Sequence, residues 1–261
     1  MPDASPHRPR HRATWLDELL LAVVFMTRLP LHLHHEPDPG LYARSMGWYP
    51  LVGAALGLAG GAVYALASLA DLPPTVAALL AVGAMTWATG GLHEDGLADI
   101  ADGFGGGCTR ERKLEIMRDS RVGSYGVLAL VFSVALRASA LAALGGPLEV
   151  AAALVAGAAC SRAVLPVMAW IMQPARKDGL AATHGCPPSG RVMLALALAA
   201  VTALIAVGPA APAVALASAG AAGAVGALAM RHIRGYTGDV LGGAQQVAEI
   251  AVLLTLAGLR A

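Results

Sequence analysis

In "GGLHEDGLADIADGFGGG", residues 90 to 107, four carboxylates, Glu94, Asp95, Asp99 and Asp102, fall within nine positions of a chain whose neighbouring segments are nearly all Ala, Leu, Val and Gly. Asp95, Asp99 and Asp102 stand at i, i+4 and i+7, a spacing that stacks side chains on one face of an α-helix. Three carboxylates so arranged repel one another unless a cation joins them. On a solvated helix the repulsion is only about 0.2–0.5 kcal/mol per pair, which a wet helix end tolerates. Here the apolar run 75 to 91 leads into the acids, and the pattern predicts one helix continuing through both. A charge deep in hydrocarbon costs about 2.5–3.5 kcal/mol, so ionisable residues at that depth imply a function. Metal binding is the expectation.

Oxygen ligands without Cys, and without a His pair at i, i+4, favour a hard cation, Mg²⁺ or Mn²⁺, over zinc. Magnesium keeps waters and shares its shell with substrate phosphates, so anion-binding groups are expected close by. "GFGGG" at 103 to 107 offers backbone N–H groups, and Arg110, Arg112, Lys113, Arg118 and Arg121 follow. The same cations also suit an anchoring role at the lipid surface. "RDSRVGSYG" adds Asp119, a further candidate metal ligand, with Ser120 and Arg121. "PARKDGLAATHG" supplies Arg176, Lys177, Asp178 and His184, and "RHIRGYTGDVLGGAQQVAE" supplies Asp239, Gln246 and Glu249. Arg176, Asp239 and Glu249 join the candidate substrate-binding set; for Glu249 the other reading is a hydrogen bond between helices. Arg137 and Arg162, inside apolar runs, either snorkel or line a cavity. His93 is a candidate base or a structural histidine.

The elements that must carry these residues follow from composition. Of 261 residues 57% are hydrophobic and 13% charged, and the mean hydropathy of +0.63 is that of a membrane protein. With aromatics at 5% and 31 glycines, the apolar mass is small-residue rich, which suits closely packed helices better than a barrel with aromatic girdles. The fold class expected is all-α: a polytopic integral membrane helical bundle forming a single membrane-embedded catalytic domain over 1–261. Six runs are long enough to span, 47–70, 75–91, 124–144, 149–172, 192–208 and 211–230, and two weaker terminal helices are read at 15–31 and 245–259, each either spanning or lying partly in the interface. Residues 92–123 then form a cytoplasmic active-site loop between spans. That stretch holds five Lys or Arg, 173–191 three and 231–244 two, whereas 71–74, 145–148 and 209–210 hold none. The positive-inside rule puts the basic set, and the chemistry with it, on the cytoplasmic side. The basic residues form no stripe that would suit a nucleic acid. Cys108, Cys160 and Cys186 are scattered singly and read as free thiols. "MPDASPHRPRHRATW" imitates a signal peptide, but no A-x-A site follows.

Metal-bound carboxylates with arginines at a membrane face describe diphosphate chemistry, in which a hydroxyl attacks phosphorus while a cation neutralises the leaving phosphate. The residues alone leave open a phosphotransferase or a prenyltransferase that ionises an allylic diphosphate. A transporter would distribute its acids through several spans; here they cluster at one face.

The run "GGLHEDGLADIADGFGGG", continuing into "RKLEIMRDSRVGSYGVLALV", resembles the signature of the cobalamin synthase family, the adenosylcobinamide-GDP ribazoletransferases. Further matches are "FMTRLP" at 25–30, "WYPLVGAALG" at 48–57, "RKDGLA" at 176–181 and "GYTGDVLGGAQQVAE" at 235–249, so the likeness runs nearly end to end. The resemblance implies Mg²⁺ as cofactor and, as substrates, adenosylcobinamide-GDP with α-ribazole or its 5′-phosphate, GMP leaving. It implies a multi-pass enzyme of a bacterial inner membrane with lipid around it and the active site facing the cytoplasm, and is compatible with a homo-oligomer. By position, His93, Asp95, Asp99 and Asp102 match the family's H-x-D-G-L-A-D-x-x-D pattern, and Asp119, Ser120 and Arg121 its D-S-R. On that pattern His93, Asp95, Asp99 and Asp102 are expected to be catalytic, and Asp95, Asp99, Asp102 and Asp119 to bind the metal. Arg110, Arg112, Lys113, Arg118, Ser120, Arg121, Arg176, Asp239 and Glu249 are expected to bind substrate. Glu94 falls where the family is commonly apolar and is not counted as a ligand; Gln246 falls where relatives often have an acid. The CDP-alcohol phosphotransferases are the alternative, but their D-G-x-x-A-R spacing is absent.

Overall fold

The computed structural model describes residues 14–33, 39–179, 183 and 185–260; His184, most of the signal-like N-terminal segment and part of the "RKDGLA" match lie outside them. Among the described residues there is no strand, and the one β-type contact is an isolated bridge between Pro174 and Tyr236. Among the described residues eleven α-helices are given bounds: α1 Trp15–Met26, α2 Pro39–Ser45, α3 Tyr49–Leu69, α4 Pro74–Thr89, α5 Leu92–Gly106, α6 Arg110–Ile116, α7 Ser124–Leu144, α8 Pro147–Ile171, α9 Ser189–Val207, α10 Ala211–Ile233 and α11 Gly238–Gly258.

Among the described residues five helical stretches are long and apolar enough to cross a membrane: Gly40–Leu69, Ser124–Leu144, Pro147–Ile171, Ser189–Ile233 and Gly238–Gly258. Such a set is consistent with a multi-pass membrane protein. The 45-residue stretch Ser189–Ile233 breaks at Gly208 (φ 55°) into α9 and α10, both packed on α8. The core is α8, packed against α3, α9 and α11. Small residues set this spacing: a Cβ on Gly57 would stand 2.5 Å from Leu154 O, and one on Gly61 2.6 Å from Ala151 Cβ, so α3 lies with its backbone against α8.

Two sequence expectations change, and the two weak terminal segments prove unlike one another. The acids do not continue the helix of the run before them. Gly90 and Gly91 both adopt the left-handed conformation (φ 68° and 73°), which other residues rarely take, and α5 leaves α4 at 92°. The pair counts as one further span only if the bend is included. Residues 92–123, read as a loop, are mostly the helices α5 and α6, because Leu97, Ala98 and Ile100 are buried where α5 packs against α7 and α11. The segment at 15–31 yields only the 12-residue α1, about 18 Å long and too short to cross about 30 Å of hydrocarbon. Its charges are local: Thr14 and Asp17 form a capping box, and buried Glu18 meets Arg191 at 2.8 Å and Arg44 at 3.2 Å. The last helix, by contrast, is a full 21 residues.

Candidate active site

Three connections meet at one end of the bundle, and they are the three that carry the Lys and Arg. Residues 173–175 run beside 235–236, Ala175 N–H donating to Tyr236 O at 2.8 Å and Tyr236 N–H to Gln173 O at 3.0 Å. Arg110 ties this pair to α6, its Nε donating to Ile233 O at 2.9 Å and its Nη2 to Ala175 O at 2.5 Å. Arg176 returns the link, Nη2 to Leu114 O at 2.9 Å, and Arg118 Nη2 meets Asp178 at 2.7 Å. Elements more than a hundred residues apart are thereby fixed around α5.

α5 crosses the start of α11 at glycines. A Cβ on Gly96 would stand 2.8 Å from Asp239 O, and one on Gly242 3.3 Å from Gly96 Cα. The close approach brings Asp239 to the acidic face of α5, where Asp95 is exposed and Asp99 half-buried. Asp239, Asp95 and Asp102 all act on the Asp99 carboxylate as like charges, and Arg176 is the cation that opposes them. Arg176, Asp178, Tyr236 and Asp239 line a cavity of about 170 Å³ at the N-terminus of α11, where the helix dipole favours an anion. Thr237 caps that helix, accepting from Val240 N–H at 3.3 Å.

The remaining candidates are placed differently. Asp102 is buried and accepts the backbone N–H of Gly123 at 2.7 Å and of Gly126 at 2.9 Å, one on each oxygen, and so holds the start of α7. Asp119 is paired with Arg121, Nη2 to Oδ2 at 2.7 Å, and those hydrogen bonds hold its carboxyl down at about 2. Arg112 pairs with Glu115 at 2.8 Å in solvent, Lys113 packs beside Gly107, and Ser120 is exposed. His93 is buried, and its Nε2 has no hydrogen-bond partner.

Glu249 lies inside the bundle, away from the Asp239 carboxylate. Gln245 Nε2 donates to it at 2.6 Å, and Arg137 and Arg162 each approach it at 3.7 Å. Glu94 belongs to the same network: its Oε1 accepts from Thr86 at 2.9 Å and from Arg137 and Gln246 at 3.2 Å each. The sequence marks Arg137, Arg162 and Glu249 singly as charges within apolar runs; the signal for their pairing is that the two arginines and Glu94 with Glu249 balance. The aromatic residues near the acids, Phe25, Tyr49 and Tyr236, carry no such signal, because isolated aromatics in apolar runs look like ordinary core.

Among the described residues no three His, Cys, Asp or Glu side chains form a group that could hold a metal ion by themselves. Two or three aspartates with water and substrate oxygens completing the shell is the habit of Mg²⁺, and the oxygen-only donors around Asp99 fit that habit.

The model of the family described as cobalamin-5-phosphate synthase matches residues 18–257. The protein named adenosylcobinamide-GDP ribazoletransferase in Bradyrhizobium diazoefficiens is 46% identical over 92% of this chain and 93% of its own. Those of the same name in Mesorhizobium japonicum and Azorhizobium caulinodans are 43% identical over 92% of each chain, and 46% identical over 89% of this chain and 92% of the relative. No solved structure matches. With the match and the relatives both running almost the whole length, the chain belongs to the cobalamin-5-phosphate synthase family.

Proposed function

We propose that the chain joins adenosylcobinamide-GDP to α-ribazole or its 5′-phosphate, giving adenosylcobalamin or its 5′-phosphate and GMP. The relatives' shared name supports the substrates. The observation that carries the chemistry is the meeting of Asp95, Asp99 and Asp239 with Arg176 beside the N-terminus of α11. The ribazole 3′-hydroxyl attacks the cobinamide-side phosphorus; a P–O bond forms there as the bond to the GMP phosphate breaks, and the electron pair leaves with GMP. Arg176 and the first N–H groups of α11 hold the diphosphate. His93 Nε2, buried and unpartnered, or an acid of the cluster takes the hydroxyl proton. Bound Mg²⁺ supplies charge neutralisation at the leaving phosphate. Asp95, Asp99 and Asp239 are the acids that would hold it, Asp102 being engaged with the start of α7.

The same reading puts the protein in a bacterial inner membrane, lipid around it, with the acids on the cytoplasmic side, as the basic connections indicate. The experiment is turnover of purified protein in detergent, following GMP release from adenosylcobinamide-GDP. Release that requires both ribazole and Mg²⁺ is expected. Activity with a CDP-alcohol and none with adenosylcobinamide-GDP overturns the proposal.

A further inference from the structure

A second cavity, of about 200 Å³, shares the acids: its lining joins Phe25, Met26, Met46, Tyr49 and Tyr236 to His93, Asp95 and Asp239. The chain has only three Phe and five Tyr, so three aromatic rings around one small space is a concentration. Phe25 and Tyr49 lie nearly parallel, centroids 6.1 Å apart and planes at 11°. Two polar atoms of the lining are buried with little to bond to: His93 Nε2 has no hydrogen-bond partner, and the Tyr49 hydroxyl has only the Ser45 hydroxyl beside it. Ser45, beside Tyr49, donates its own hydrogen bond to Tyr42 O at 2.8 Å. Buried polar atoms left unpaired oppose folding, and a ligand bringing matching groups relieves that. Pockets for drug-sized ligands run to about 300–1,000 Å³; a space of this size admits one flat bicyclic ring and excludes a corrin.

We infer that this cavity receives the base of the acceptor nucleoside, a flat, largely apolar benzimidazole-type ring with one ring nitrogen free to accept a hydrogen bond. The inference rests on the function proposed above. The aromatic and methionine walls suit the faces and edges of such a ring. The Tyr49 hydroxyl donates to the free ring nitrogen, and His93 Nε2 faces the ribose, whose hydroxyl then points toward Asp95 and Asp239. Guanine is the competing bicyclic base, but its edge carries several donors and acceptors that two wall atoms would leave largely unpaired. The stretches "FMTRLP" and "WYPLVG", which the acid chemistry leaves without a role, contribute Phe25, Met26 and Tyr49, and "GYTGD" adds Tyr236 beside the acid Asp239.

The test measures KM for α-ribazole and for adenosylcobinamide-GDP separately, on full-length protein in detergent. Tyr49→Phe removes one oxygen and leaves the ring, and is expected to raise the acceptor KM about tenfold, the loss of one hydrogen bond, with the donor KM within about twofold. Met46→Ala widens the cavity and is expected to shift preference toward ribosides with a larger fused base, which a merely structural role would not do. An unchanged acceptor KM in Tyr49→Phe together with unchanged base preference in Met46→Ala overturns the inference, as does a rise confined to the donor KM. Wild-type GMP release is read first: its absence is a failure of the proposed function, whereas normal wild-type release with insensitive variants is a failure of this inference alone.

Discussion

Arg137 of α7 meets Glu94 of α5 inside the bundle, Nη2 to Oε1 at 3.2 Å, with both side chains buried. Through Glu249 the network extends to Arg162, so two cations and two anions compensate one another away from water. Removing one member of such a pair leaves an uncompensated buried charge, typically about 3–5 kcal/mol. Arg137→Met is therefore expected to lower unfolding stability in detergent by that amount. Glu94→Gln, which keeps a carbonyl oxygen for Thr86, is expected to lose less, with turnover within about tenfold of wild type. Wild-type stability of Arg137→Met would show that the network does not hold α5 in place.

Asp99→Asn removes the charge at the centre of the acidic group, and Asp95→Asn and Asp239→Asn remove its neighbours. Each is expected to reduce turnover by orders of magnitude while the protein still folds, since loss of a like charge relieves repulsion. Double variants should be little worse than singles, as for residues acting as one unit. Near-normal Mg²⁺-dependent turnover in Asp99→Asn would remove the acid group from the mechanism.

Asp102 separates a helix-capping role from a ligand role. Asp102→Ala is expected to destabilise by about 0.5–2 kcal/mol, the range for loss of a cap. Asp102→Asn, which retains one acceptor oxygen, is expected to keep more turnover than Asp99→Asn. Equal collapse of turnover in both Asn variants with unchanged stability would give Asp102 to the metal.

The natural thiols report sidedness. Cys108 and Cys186 are exposed on the basic connections and Cys160 is buried in α8. A membrane-impermeant maleimide is expected to label the first two in inside-out vesicles and neither in right-side-out vesicles. Labelling of Cys108 from the outside would reverse the orientation.

Much of this was legible in the sequence, and what was not has physical causes. Periodicity and apolar length gave an all-α membrane bundle and most of its spans, because those signals are local. The turn at Gly90–Gly91 was not legible: "GG" inside an apolar run reads equally as a helix with two weak residues. The acids on α5 were found from their spacing, but Asp239 emerged as their partner only through the Gly96–Gly242 crossing, a contact between residues far apart in the chain. Glu18 shows the converse, a charge that made 15–31 a weak span and turned out to be bound by Arg44 and Arg191.

The packing of α5 on α11 also sets an order of events during synthesis. Asp239 and the glycines that admit α5 belong to α11, Gly238–Gly258, which is made well over a hundred residues after α5. Until the ribosome has released that segment and it has inserted, Glu94 lacks Gln246, Arg137 and Arg162 lack Glu249, and Asp99 lacks its neighbour. A chain in which α11 is not yet in place therefore holds these acids and arginines without their partners, and assembly of the acidic group waits on α11.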